Sequence, residues 1–408
     1  MICSALSGKK QIIIFAILTA VCVVSDAMLY VVLPVHWKDA GLDSVWEVGI
    51  LLSLNRLARL PLNPLVGWLY SRINTRICSI VASVLALLIP LGYATASSFS
   101  EWAFLRILWG LAWSLLKLGG LFTVLEASEK GSRGYLMGLY SGTYRLGNLA
   151  GMLGGAILAD MMGLRIAFYA SSAVASVSLP LALFLLRGVS PGEKKKSASE
   201  AKRTYIALMT RNLLRVLFSC LMAALIIEGF FMSTVSALFF HRLGESVSIL
   251  SIAFGCATLA GILQSLRWGW SPFLSPYIGR LSDSSLGRAK LFSWVCLAAA
   301  LCFGLVTLPL PLFSWITALI CIELCSTAMT TLSDALAADA AAASYSSVFV
   351  MTAYTFVIDL GSALGPIGGF AIISLWGMDA AYLTAALLLF LVGAAWAFRV
   401  HQNKASLT

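Results

Sequence analysis

The sequence predicts an all-α integral membrane protein, with twelve transmembrane helices in two pseudo-symmetric six-helix bundles. Three observations predict it. Of 408 residues, 60% are hydrophobic and only 11% are charged, whereas soluble domains carry roughly 25% charged residues; a soluble enzyme is excluded. Apolar runs of about 20 residues recur along the whole chain, each long enough at about 1.5 Å per helical residue to cross a hydrocarbon core of roughly 30 Å. Two stretches of sequence also recur in the second half of the chain, at offsets of 212 and 214 residues.

The first run follows Lys9 and Lys10 as IIIFAILTAVCVV and continues through Asp26 into MLYVVLPV. Its length of about 25 residues exceeds the 7 to 15 of a signal-peptide core, and no small-residue cleavage site interrupts it, so it is read as a span near 11–35. Polar residues and Gly/Pro breaks then bound spans near 46–70, 77–97, 101–126, 135–160 and 164–187. Residues 188–212, which include SPGEKKKSASEAKR, are the one long polar stretch and read as a solvated linker. Six more spans follow near 213–240, 248–280, 289–308, 312–337, 343–374 and 378–398. The predicted organisation is an N-terminal bundle over 1–187, a linker over 188–212 and a C-terminal bundle over 213–408.

A net charge of +10 would suggest nucleic acid in a soluble protein. In a membrane protein it belongs to the loops. Nineteen Lys and Arg fall on the side of the termini and linker, and three, Lys38, Arg165 and Arg242, on the other. The expectation is a multi-pass protein of a bacterial inner membrane with both termini and the linker cytoplasmic. Nine cysteines contain no Cys-x-x-Cys pair and read as small core residues. Neither a metal nor a cofactor is expected.

The repeat supports the six-plus-six division. It places Gly49, Ser53, Pro64, Gly67 and Leu69 on Gly261, Ser265, Pro276, Gly279 and Leu281, so helix 2 returns as helix 8. It places Gly147, Gly151 and Gly155 on Gly361, Gly365 and Gly369, so helix 5 returns as helix 11, with Arg145 falling on Asp359. Gly147, Gly151, Gly154 and Gly155 at helical spacing allow close backbone approach where lipid gives helices no hydrophobic reason to associate. Pro366 makes helix 11 a place to bend.

Several segments carry a family resemblance. GWLYSRINTR after helix 2 keeps Gly67, Leu69 and Arg72 of a Gly-x-Leu-x-Asp-Arg-x-Gly-Arg pattern, with Ser71 in place of the acid, and its second copy keeps Gly279, Leu281 and Asp283. Arg106 and Gly110 in RILWGLAWS, GNLAGMLGG with Met152 at the proline position, GSALGPIGG, and Asp26 followed by Leu33-Pro34 complete the set. Together they resemble the major facilitator superfamily, in particular its drug:proton antiporter type, over essentially the whole chain. The resemblance implies alternating access, an arginine at Arg106 lying at the cavity beside the helix 1 acid, and packing of helices 2 and 5 of one bundle on helices 11 and 8 of the other.

Charges inside spans cost about 2.5 to 3.5 kcal/mol each on insertion scales and are functional candidates by default. The first half holds Arg56, Arg59, Arg106, Lys117 and Arg145 against Asp26; the second holds Glu228, Glu323 and Asp359 against Arg267. A cavity lined by Arg106, Lys117, Trp109, Trp113, Tyr30, Tyr140 and Glu323 would suit a small anionic or zwitterionic solute, because the cations donate charge-assisted hydrogen bonds and the aromatic faces stack. Asp26 and Glu228, in the first helix of each half, are the expected proton carriers. For interdomain gating, Asp359 is expected to meet Arg56 or Arg59, while Arg145 meets the Trp268 face as a cation–π contact. The predicted function is secondary active transport, as proton-coupled export or, alternatively, proton-linked uptake of an organic anion. The partners would be solute, protons and membrane lipid, with no nucleic acid, and the chain a monomer. An intramembrane enzyme is the competing class, but none of His36, His241 and His401 begins a His-Glu-x-x-His motif.

Overall fold

The computed structural model describes residues 2–70, 72–127, 133–186, 211–244, 246–249, 252–283, 287–342 and 347–405. The expected linker lies almost wholly outside them. Twelve helical elements run through the described residues. The first four are α1 (Ile2–Val32), α2 (Val45–Tyr70), α3 (Thr75–Thr95) and α4 (Phe99–Ala127). Helix α5 begins as Arg133–Ala150, passes through a π turn at Gly151–Gly155 and ends as Ala156–Met162. Helix α6 combines Leu164–Ser176, Ser178–Pro180 and a π turn at Leu181–Leu185, and α7 combines Arg211–Ala223, a π segment Ala224–Phe231 and Met232–Leu243. Then follow α8 (Cys256–Asp283), α9 (Arg288–Val306), α10 (Leu312–Ala342), α11 (Ser347–Trp376) and α12 (Met378–Ala405).

One element departs from the all-helical expectation. Strands β1 (Ser246–Ile249) and β2 (Ile252–Gly255) pair antiparallel before α8, from Ser246 opposite Gly255 to Ile249 opposite Ile252. The span expected from 248 therefore starts as a hairpin, and the helix begins only at Cys256. Val247, Ile249 and Ile252 are β-branched, and a short apolar run of such residues suits a strand as well as a helix.

Among the described residues, nine helices are long and apolar enough to cross a membrane. The three elements below that standard, α2, α5 and α8, carry Arg56 and Arg59, Arg145, and Arg267 within their length. Their polarity lowers their hydropathy without shortening them: α2 has 26 residues and α8 has 28. Large apolar side chains such as Phe104, Phe184, Phe313 and Leu383 stand exposed, as a surface facing lipid requires.

The chain divides into two compact units. The first holds residues 1–193 together with 235–268, and the second holds 194–234 together with 269–408. In the first, α1 packs along α5 through glycines: a Cβ on Gly147 would lie 2.0 Å from the Ala20 carbonyl oxygen, and one on Gly151 would lie 2.2 Å from that of Val24. Gly155 is equally close to Met28. In the second unit α7 and α11 repeat the arrangement: a Cβ on Gly361 would lie 2.5 Å from the Leu221 carbonyl oxygen, and one on Gly365 would lie 2.3 Å from that of Leu225. The repeated glycines therefore make the same helix pair twice. Gly154 differs: nothing lies within 4 Å of its Cβ position, so helical spacing alone placed it wrongly in the contact.

Candidate functional site

The sharpest cluster of charge lies in the first unit. Arg106, on α4, is completely buried, and its Nη1 donates to Asp26 Oδ1 of α1 at 2.5 Å. Its Nε donates to the Leu51 carbonyl of α2 at 2.9 Å, so one guanidinium ties three helices together. Tyr93 and Tyr30 adjoin the same guanidinium. Asn55 Nδ2 reaches the same carboxylate oxygen at 3.5 Å. The two partners differ in exposure: the Arg106 side chain is 0% exposed and that of Asp26 is 15% exposed.

Beside this pair, Arg56 donates from Nε to the Tyr30 hydroxyl at 3.1 Å and lies 5.4 Å from the ring centroid. Tyr30 is buried, and its hydroxyl donates a hydrogen bond to the Leu52 carbonyl at 3.4 Å. Arg59 is buried one turn further along α2.

Residues 106, 109, 113 and 117 fall on one face of α4 by helical geometry. Arg106 and Trp109 are buried, Trp113 is half-buried against the edge of Tyr144, and Lys117 is exposed. The face thus opens progressively toward its C-terminal end. Tyr140 does not share that opening. It is buried, packs at a tilt against Phe15 and Tyr144, donates its hydroxyl to the Leu116 carbonyl and fills the space over Gly120; it packs α5 onto α1 and α4.

Of the remaining first-unit cations, Arg145 lies 5.5 Å from the Trp268 ring centroid, and Arg267 lies at the same distance. The α5 and α8 segments also touch through backbone, because a Cβ on Gly261 would come within 2.5 Å of the Met152 carbonyl. In the second unit Glu323 is buried on α10, close to Tyr382, whose hydroxyl shares a 3.2 Å hydrogen bond with Thr234. Glu228 is half-buried in the π segment of α7, near Tyr354, which donates to Asp334 at 2.5 Å. Asp359 is buried on α11.

A second constellation was not visible in the sequence. Asp160 near the end of α5 accepts from both the backbone N–H and the hydroxyl of Thr258, at 2.7 and 2.6 Å, in the first turn of α8. A carboxylate there satisfies a helix N–H that has no partner within the helix and meets the positive end of the helix dipole. Gly255 makes room: a Cβ there would lie 2.1 Å from Asp160 Oδ2. His36 completes the group, its ring nitrogens 3.2 Å from Asp160 and 3.1 Å from Asp39. Burial opposes charge on this imidazole, but the hydrogen bonds and charges of Asp160 and Asp39 outweigh it and push the His36 pKa above its usual value. No local signal could have found this group, because its members come from three distant segments and each sits at a span end, where a polar residue is unremarkable.

Among known protein families, the profile of the Major Facilitator Superfamily matches residues 15–271. The chain belongs to that superfamily. Among its superfamily relatives, the multidrug resistance protein MdtG of Klebsiella pneumoniae (strain 342) is 24% identical over 264 residues, covering 64% of this chain and 62% of that protein. MdtG of Proteus mirabilis (strain HI4320) is 23% identical over 256 residues, 62% of this chain and 61% of that one. The chain thus matches about three fifths of the length of these curated relatives. Its fold is similar to that of a POT family transporter solved with 5-aminolevulinic acid, with a TM-score of 0.73 at 13% identity over 95% of each chain. A peptide transporter POT solved with sulfate gives 0.74 at 13% identity, over 97% of this chain and 94% of that one. This chain is a multi-pass membrane protein of that superfamily.

Proposed function

We propose that the chain exports a small anionic or zwitterionic solute in exchange for protons, with both termini and the 188–212 linker cytoplasmic. The observation that carries the proposal is the ion pair between the buried Arg106 and the partly exposed Asp26. In this reading a solute carboxylate or phosphate competes with Asp26 for the guanidinium, and the released Asp26 takes up a proton. Solute and proton then occupy the site alternately, which is the requirement for antiport. The α4 face leading from Arg106 to Lys117 supplies the route and Trp113 a stacking surface. Glu228 and Glu323 serve as the acids of the second half. The likeness to proteins named for multidrug resistance favours export over uptake. On the proposed topology the His36, Asp160 and Thr258 group lies at the end opposite the linker, where it holds the start of α8 to the end of α5.

The test is flux in proteoliposomes with an imposed pH gradient, against a panel of anionic, zwitterionic and cationic solutes. Asp26→Asn is expected to abolish gradient-driven net flux while solute counterflow persists. Full net flux with unchanged pH dependence in Asp26→Asn would refute Asp26 as the carrier. A transported solute that is a lipophilic cation would refute the assigned substrate sign.

A further inference from the structure

A groove of about 540 Å³ runs between α7 and α12 in the second unit. Phe218, Met222, Leu391 and Phe398 line it with apolar surface, and Arg215 is the charged residue on its wall. Its polar floor is spent internally: Trp396 Nε1 donates to Ser219 Oγ at 2.8 Å, and Ser219 Oγ donates to the Arg215 carbonyl at 2.8 Å. Arg215 itself is exposed, and among the described residues no acidic side chain pairs with it.

We propose that this groove binds one anionic phospholipid, with the phosphate on Arg215 and an acyl chain lying along Phe218, Met222 and Leu391. Two features fit that occupant. Arg215 lies one turn inside the start of α7 at Arg211, and the lining runs from there to Met222 on α7 and from Phe398 back to Leu388 on α12. At about 1.5 Å per residue these stretches are roughly 10 and 15 Å long, close to the half-thickness of a bilayer hydrocarbon core of roughly 30 Å. Charge supplies the selectivity. Arg215 is the charged residue on the groove wall, and a cation beside a membrane-spanning helix attracts an anionic headgroup. A zwitterionic headgroup brings an amine for which the groove offers no acid. Neither the transported solute nor the direction of transport enters this proposal.

The experiment is native mass spectrometry of the full chain in mild detergent, titrated with phosphatidylglycerol or phosphatidylcholine of identical acyl chains. The wild type should retain one phosphatidylglycerol about fivefold more tightly than phosphatidylcholine, the factor that a single cation near an anionic surface supplies. Arg215→Ala should remove that preference, Arg215→Lys should keep most of it, and Met222→Trp, which fills the groove, should weaken both lipids together. Glycerol 3-phosphate, a headgroup without chains, should not displace the bound lipid. Equal retention of the two lipids by the wild type, a preference that survives Arg215→Ala, retention untouched by Met222→Trp, or displacement by the headgroup alone would each overturn the proposal. Retention in detergent is independent of sidedness, so failure of the topology reading would be seen separately, by labelling of a cysteine at position 195.

Discussion

At the level of single residues, the chemistry of Arg106 depends on its shape. The guanidinium donates to Asp26 and to the Leu51 carbonyl along different directions, and an ammonium on a flexible stem cannot hold both geometries at once. Arg106→Lys is therefore expected to lower thermal stability and transport together, and Arg106→Ala to cost about 3 to 5 kcal/mol, the range for breaking a buried ion pair. Thermal unfolding of the purified variants measures both. His36 gives a prediction in pH. Its pKa is raised in the folded chain, so the stabilisation it lends is complete below the ordinary imidazole value near about 6.5 and is lost as pH rises through the raised one. The wild type should lose thermal stability relative to His36→Gln as pH rises from about 6 upward; parallel curves for the two proteins would remove the imidazole from the account. The contrast between these sites explains what the sequence could reveal. Asp26 and Arg106 are charges in apolar runs, where any charge stands out. His36 and Asp160 lie 124 residues apart in places where polar residues are expected, and only folding brings them together.

At the level of elements, the glycines of α5 separate two causes that helical spacing merges. Gly151 and Gly154 both recur in the glycine pattern, yet a Cβ on Gly151 would lie 2.2 Å from the Val24 carbonyl while nothing lies within 4 Å of one on Gly154. Gly151→Ala should push α1 and α5 apart and cost about 1 to 3 kcal/mol, the usual range for overpacking. Gly154→Ala should be neutral within about 0.5 kcal/mol, or slightly stabilising through helix propensity. Equal effects of the two substitutions would mean that the backbone contact does not limit the packing. The same contrast is available on α11, where Gly365 is crowded and Gly368 is open. Apolar run length placed the helices well because lipid imposes that length. It failed at the start of α8, where β1 and β2 occupy residues read as span, because an apolar run carries no information on whether its backbone pairs within a helix or across a hairpin. The π turns of α5 and α7 were also illegible, since nothing in a residue pattern marks a single widened turn.

At the level of the whole molecule, the internal repeat is the most informative feature of the sequence, and it leads to a prediction about gating. The offset of 214 residues carries Arg145 to Asp359, and the offset of 212 carries Arg56 to Trp268. Within the first unit Arg145 of α5 lies on the Trp268 face of α8 at 5.5 Å. If the pseudo-twofold relation holds for contacts as well as for sequence, the partner of that contact is Asp359 of α11 with Arg56 of α2, or with Arg59 one turn on. We expect these groups to pair in one conformation of the transport cycle. An ion pair at a moving interface stabilises only the state that closes it, so it biases the equilibrium between inward-open and outward-open forms. Removing one member leaves the other charge at membrane depth, which costs more than exchanging the two. Asp359→Ala should therefore reduce flux by about tenfold or more, the factor that corresponds to about 1.4 kcal/mol, and Arg59→Asp should do the same. The double exchange Arg59→Asp with Asp359→Arg should recover a substantial part of the flux. A comparison of Arg56→Ala with Arg59→Ala identifies the cation that pairs. Wild-type flux in Asp359→Ala, or a double exchange no better than its single components, would confine the repeat to helix packing and give it no part in gating.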